Sequence, residues 1–142
     1  MKNKKNIAIL SLIVIALVSI YFGKNYLEKK KEINLKNTNV INSIEEAKEG
    51  VPTIIMFKTD TCPYCVEMEK ELSLVSKERE GRFNIYYARL EEEKNIDLAD
   101  KYDAKVVPTT VFLDKEGREF YIHQGLMRKD SIEVILNSLG VK

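Results

Sequence analysis

The chain has 142 residues, of which 44% are hydrophobic, a composition that suits one globular domain and not two. Charge is divided unevenly: residues 1–32 carry a net +5, and residues 33–142 carry 16 Lys and Arg against 20 Asp and Glu. A mildly acidic body without a basic stripe excludes a nucleic-acid binder, and two cysteines exclude a disulfide-framework miniprotein.

Residues 1–23 open with Lys2, Lys4 and Lys5 and continue as an uncharged apolar run from Ile7 to Gly23. Seventeen residues of helix reach roughly 26 Å, near the hydrocarbon thickness of a bilayer. The run ends Ser19-Ile20-Tyr21-Phe22-Gly23, without a small-x-small cleavage site and without a lipobox cysteine. An uncleaved signal anchor, a transmembrane helix, is therefore expected, with Tyr21, Phe22 and Tyr26 as interfacial aromatics. Lysines flank both ends, so charge alone does not orient it. A cytoplasmic N-terminus with the domain exported is the expected arrangement. Residues 24–38 are charged and Asn-rich and read as a linker, which leaves 39–142 for the domain.

The domain's signals come in regular order. Ser43-Ile44-Glu45-Glu46 is a capping-box pattern that predicts a short helix closed by Gly50. Thr53 to Phe57 is a continuous apolar run of strand length, as in a strand buried on both faces. Cys62 to Glu80 predicts a helix with a stripe of Cys65, Met68, Leu72 and Val75, ended near Gly81. Phe83 to Leu90 predicts a second strand, and Ile96, Ala99 and Tyr102 mark a short helix. Thr109–Leu113 and Glu119–His123 form a predicted hairpin about the Asp114–Gly117 turn. Asp130-Ser131-Ile132-Glu133 reads as a second capping box, leading a helix with Ile132, Ile135, Leu136 and Leu139 inward. The order (β)αβαβα followed by ββα predicts an α/β fold: a mixed central sheet with helices on both faces.

Cys62-Pro63-Tyr64-Cys65 lies where the buried strand gives way to the long helix. Proline at the first helical position loses no hydrogen bond. Cys62 then stands at the helix N-terminus, where free amides and the dipole stabilise a thiolate. Cys65, one turn later on the apolar stripe, would be shielded and react second. Zinc needs about four ligands, and the chain adds only His123 to the pair. An inert structural disulfide would close too small a loop to constrain the unfolded chain. Redox exchange is the preferred reading, without metal or organic cofactor.

With these motifs in place, residues from about Val40 to Leu139 resemble the thioredoxin superfamily in element order, in C-x-x-C placement and in Val107-Pro108-Thr109. The resemblance implies a thioredoxin-like fold and a redox-active Cys62–Cys65 disulfide, with Cys62 the nucleophile and Cys65 the resolving thiol. It also implies a cis Pro108 beside the pair and Val107 as a main-chain partner for substrate, with Pro63 and Tyr64 completing the substrate-binding set. The Asp114–Gly117 turn and Gly125 fall at the family's hairpin turn and small residue near the site. Three features depart from the pattern. Thr61 replaces a tryptophan, and Met56 occupies the position of a buried proton-accepting acid. The tetrapeptide is glutaredoxin-like, but Gln124-Gly125-Leu126-Met127-Arg128 replaces that family's Gly-Gly-x-x-Asp element, so glutathione specificity is not implied.

Asp60 and Glu69 are the carboxylates weighed as alternative proton acceptors for Cys65, and both read as solvated surface charges. His123 reads as a surface residue of an edge strand, Tyr86 and Tyr87 as sheet packing, and Glu91–Glu93 as too divergent for a metal. The whole resembles membrane-anchored or exported bacterial thioredoxin-like proteins. The implied activity is thiol–disulfide oxidoreduction, weighted towards protein-disulfide reduction. Its implied partners are disulfide or dithiol proteins in the periplasm or at the outer face of the cell membrane, and a membrane or exported redox protein that resets the pair. The alternatives are a non-catalytic binding module using the Pro108 groove and a redox sensor.

Overall fold

The computed structural model describes residues 39–142 and, ahead of them, residues 14 and 18–20, which are helical. Apart from those four, the expected anchor over 1–23 and linker over 24–38 lie outside the described residues. Among the described residues no helix is long and apolar enough to cross a membrane.

Five strands form one sheet: β1 (Val40–Ile41), β2 (Thr53–Lys58), β3 (Asn84–Arg89), β4 (Thr109–Leu113) and β5 (Glu119–Gln124), in the order β1-β3-β2-β4-β5. The first three run parallel, while β4 and β5 are antiparallel to their neighbours. Strand β2 is central, which explains its uninterrupted apolar sequence: five of its six residues are buried. Because successive side chains point to opposite faces, Ile54 and Met56 enter one core and Ile55 and Phe57 the other.

Helix α1 (Pro63–Glu78) and helix α3 (Lys129–Ser138) cover the first face, with Cys65, Met68, Leu72, Val75, Ile132 and Leu136 buried against Ile54, Met56, Ile85 and Phe112. The short helix α2 (Ile96–Lys101) lies on the second, where Ala99 and Tyr102 join Ile55, Phe57, Tyr86 and Val111. The fold is thus the expected mixed sheet with helices on both faces. At the end of α1 the buried Asn39 side chain donates to the Arg79 carbonyl at 3.2 Å and accepts from the Gly81 amide. Its own carbonyl accepts from Ile85 at 2.7 Å, so one residue joins helix end and sheet edge.

Both capping boxes are corrected. Ile44–Glu46 is a single 3-10 turn, and Ser43 makes no side-chain cap. Glu46 reaches one residue too far back, accepting from the Asn42 amide at 2.9 Å, so the reciprocal pairing of a capping box does not form. Helix α3 begins two residues earlier than expected, and Arg128, not Asp130, is its N-cap. Its free amide is satisfied from a distance: Glu71 of α1 accepts from the Lys129 N–H at 2.8 Å and pairs with Arg128 at 3.0 Å. These bonds hold the Glu71 carboxyl below the usual carboxylate range, the Lys129 amide contributing most.

Candidate active site

Strand β2 delivers the chain to the surface, and Cys62 turns it into α1. The residue is extended (φ −91°, ψ 106°) and caps the helix, its Sγ accepting from the Cys65 amide at 3.1 Å. Pro63 takes the first helical position, where no N–H is needed. Cys62 and Cys65 form a disulfide, with Cα atoms 5.2 Å apart. Their environments differ: Cys62 is 9% exposed and Cys65 is fully buried in the first core. Cys62 is thus the more accessible residue of the pair.

The loop before β4 completes the site. The Val107–Pro108 peptide is cis, and Val107 packs against the cluster that holds both cysteines. Thr109 Oγ1 donates to the Val106 carbonyl at 2.7 Å, and the Gly125 amide donates to the Pro108 carbonyl at 2.7 Å. Gly125 is at φ +99°, a conformation that glycine adopts readily. Among the described residues neither the amide nor the carbonyl of Val107 enters a backbone hydrogen bond. Tyr64, Val66 and Val106 are exposed apolar side chains.

Behind the disulfide, one register row crosses the sheet: Tyr87 on β3, Met56 on β2, Thr110 on β4 and His123 on β5. Met56 is fully buried, and the Thr110 hydroxyl is buried without a hydrogen-bond partner. Burial, aided by the Glu69 carboxylate, pushes the Tyr87 phenol well above its ordinary value. Lys58 and Glu69 form an ion pair between β2 and α1. Glu69 is therefore not the solvated charge its sequence context suggested: its side chain is 32% exposed and faces Lys58, itself 19% exposed. Asp60 is 56% exposed and pairs outward with Arg89 at 3.2 Å. His123 lies on the edge strand with its ring stacked on Tyr121, centroids 6.5 Å apart.

The acidic run separates: Glu91 accepts from the Asp60 amide at 2.8 Å, while Glu92 pairs with Arg89 and Lys94. Among the described residues no three His, Cys, Asp or Glu side chains gather to hold a metal. Sequence reading missed the Lys58–Glu69 pair and the Thr110 hydroxyl. Lys58 shares the Met56 face of β2 and Glu69 lies one turn beyond Cys65 on α1, but only the packing of strand against helix brings the two together.

Residues 42–140 match the family model described as a thioredoxin-like domain. The thioredoxin-like protein HCF164, chloroplastic, of Oryza sativa subsp. japonica is 29% identical over 75 residues, 53% of this chain and 29% of that protein. A protein disulfide-isomerase of Schizosaccharomyces pombe is 22% identical over 135 residues, 94% of this chain and 36% of that protein. The chain thus spans little more than a third of these curated relatives at most. The solution structure of an uncharacterized thioredoxin-like protein from Clostridium perfringens is 80% identical, covering 79% of this chain and 89% of that one, with a TM-score of 0.71. StoA from Bacillus subtilis, at 17% identity and a TM-score of 0.53 over 61% of this chain and 83% of that one, shares the fold.

Proposed function

The chain belongs to the thioredoxin-like family, and on that premise we propose that it is a thiol–disulfide oxidoreductase acting on extracytoplasmic proteins, chiefly as a reductase. One observation carries the reading: a Cys62–Cys65 disulfide at the first turn of α1, with Cys62 slightly exposed and Cys65 fully enclosed.

In the reduced pair, the amide that meets Cys62 Sγ and the α1 dipole favour its thiolate. The thiolate attacks a client disulfide; a Cys62–client bond forms, and the client's other sulfur leaves with the electron pair and takes a proton. Cys65 then attacks Cys62 Sγ, the Cys62–client bond breaks, and the client departs as a dithiol while the pair is oxidised. A second redox protein returns two electrons. Val107, with its main-chain groups unclaimed, holds an extended client segment beside cis Pro108, and Pro63 and Tyr64 form the rim. The relatives named as thioredoxin-like and disulfide-isomerase proteins support the same chemistry. No metal or organic cofactor enters it. In location, the proposal takes residues 1–23 as the membrane anchor and 24–38 as the linker to the exported domain.

Insulin reduction by the full chain tests the activity. Cys62→Ser should abolish it, and Cys65→Ser should accumulate a mixed disulfide through Cys62; equal trapping by both variants would overturn the assignment of roles. A reduction potential near −270 mV supports a reductase, and one near −120 mV an oxidant, by comparison with roughly those poises in known redox proteins. A reporter fused after residue 142 and active only outside the cytoplasm tests the location.

A further inference from the structure

Cys65 has no exposed surface in the disulfide-bonded pair, so its sulfur is set back from bulk water. Its resolving attack nevertheless requires the proton to leave, because the thiolate is the nucleophile. Met56, fully buried in the same cluster, has no acid–base chemistry. The acceptor must come from elsewhere on this face.

The groups within reach are few. Alternate residues of a strand share a face, so Lys58 projects from β2 on the Met56 side. Tyr87 is the register partner of Met56 on β3 and packs against the cluster that holds both cysteines. Helix α1 contributes Glu69, one turn beyond Cys65, and residues so spaced have Cβ atoms about 5–6 Å apart. Glu69 is tied to Lys58, whose ammonium lies 6.0 Å from the centre of the Tyr87 ring. A protonated lysine offers no lone pair. The Tyr87 phenol keeps its proton, since burial and the Glu69 charge both raise it. Asp60 is turned away towards Arg89. Glu69 is the base that remains.

We propose that Glu69 is the proton acceptor for Cys65, held in place by Lys58. This deepens the oxidoreductase reading and rests on it. In the mixed disulfide the Cys65 proton passes to the Glu69 carboxylate, and the Cys65 sulfur bonds to Cys62 Sγ. The bond from Cys62 to the client sulfur breaks, and that sulfur leaves with the electron pair. Glu69 returns the proton to water through the exposed part of its side chain. Lys58 keeps the carboxylate against the sheet, and Tyr87 walls off the β3 side.

The step can be isolated without any physiological client. Reduced protein reacts with dithiobis(nitrobenzoate) in two phases: Cys62 displaces one aromatic thiolate, then Cys65 displaces the second. In the natural protein the second phase should be nearly flat from mildly acidic to neutral pH. Glu69→Gln keeps the side-chain shape and should slow it about tenfold at neutral pH, with the rate then rising about tenfold per pH unit as hydroxide takes over. Glu69→Asp should regain part of the flat profile, and Asp60→Asn should match the natural protein. The first phase should be unchanged throughout. A flat second phase in Glu69→Gln overturns the proposal, and so does a slowing of both phases by one factor at every pH. If both phases behave as expected but insulin is not reduced, the client reading fails and the role of Glu69 stands.

Discussion

On the α2 face of the sheet, Tyr86 is 4% exposed and its hydroxyl donates to Asn95 Oδ1 at 2.6 Å, while Asn95 Nδ2 donates to the Arg89 carbonyl at 2.8 Å. One residue along the same strand, Tyr87 faces the other way, among the cysteine cluster, the Lys58–Glu69 pair and the sheet row that holds the unpartnered Thr110 hydroxyl. The α2 face closes its polar network and gains rigidity from it. The cysteine face keeps a reactive sulfur–sulfur bond, a half-buried ion pair and an orphan hydroxyl within one layer. Unsatisfied groups and chemistry share a face, and the opposite face supplies the rigid backing.

Adding a charge to the reactive face should give the largest effect. Met56→Asp buries a carboxyl and should cost about 3 kcal/mol at neutral pH, visible as a lower thermal midpoint. Burial raises that carboxyl above its unfolded value, so the penalty grows as pH rises through the ordinary carboxylate range and shrinks in acid. The same change should speed the resolving step near neutrality, and a midpoint independent of pH would show position 56 to be less enclosed than Met56 is. On the opposite face, Asn95→Ala removes the acceptor of the Tyr86 hydroxyl and one of two donors to the Arg89 carbonyl, which keeps the Glu92 amide, at about 2 kcal/mol by urea denaturation. Tyr86→Phe in the same chain should recover part of it, and purely additive losses would mean that the two side chains do not act together.

Smaller effects probe the seams. Glu71→Gln weakens the cap of α3 and should cost about 1 kcal/mol. The Glu71 carboxyl is held below its unfolded value, so its contribution is complete above the ordinary carboxylate range and is lost as pH falls below it. Denaturation midpoints of the natural protein and the variant should therefore converge in acid; parallel curves would assign the loss to packing. Thr110→Val should be smallest of all, neutral or stabilising within about 0.5 kcal/mol, because it removes a hydroxyl that has no partner. A loss as large as that of Asn95→Ala would erase the contrast between the faces.

What could be read from the sequence follows the range of each interaction. Cys62-Pro63-Tyr64-Cys65 was legible because strand, proline and helix stripe are adjacent and act through local backbone rules. Strand β2 was legible as buried, but its period of two was hidden, since Ile54, Ile55, Met56 and Phe57 all face a core. The caps misled because the local pattern was present and unused: the acceptor for the α3 amide lies 58 residues earlier, in Glu71. The Lys58–Glu69 pair, 11 residues apart across a strand and a helix, has no local signature. It emerges only once β2 and α1 are laid against each other.

The single side chain of Asn39 also sets how the molecule breathes. It bonds the last turn of α1 on one side, while its carbonyl holds Ile85 on the other, so neither can open without releasing the same residue. The tail of the long helix and the outer strand pair should therefore open as one local unit, far along α1 from the disulfide. In hydrogen exchange the Gly81 and Ile85 amides should share one opening free energy, and Asn39→Ala should lower protection at both while leaving the amides of β2 and β4 at the global limit. Independent rates at Gly81 and Ile85 would mean that helix end and sheet edge fray separately.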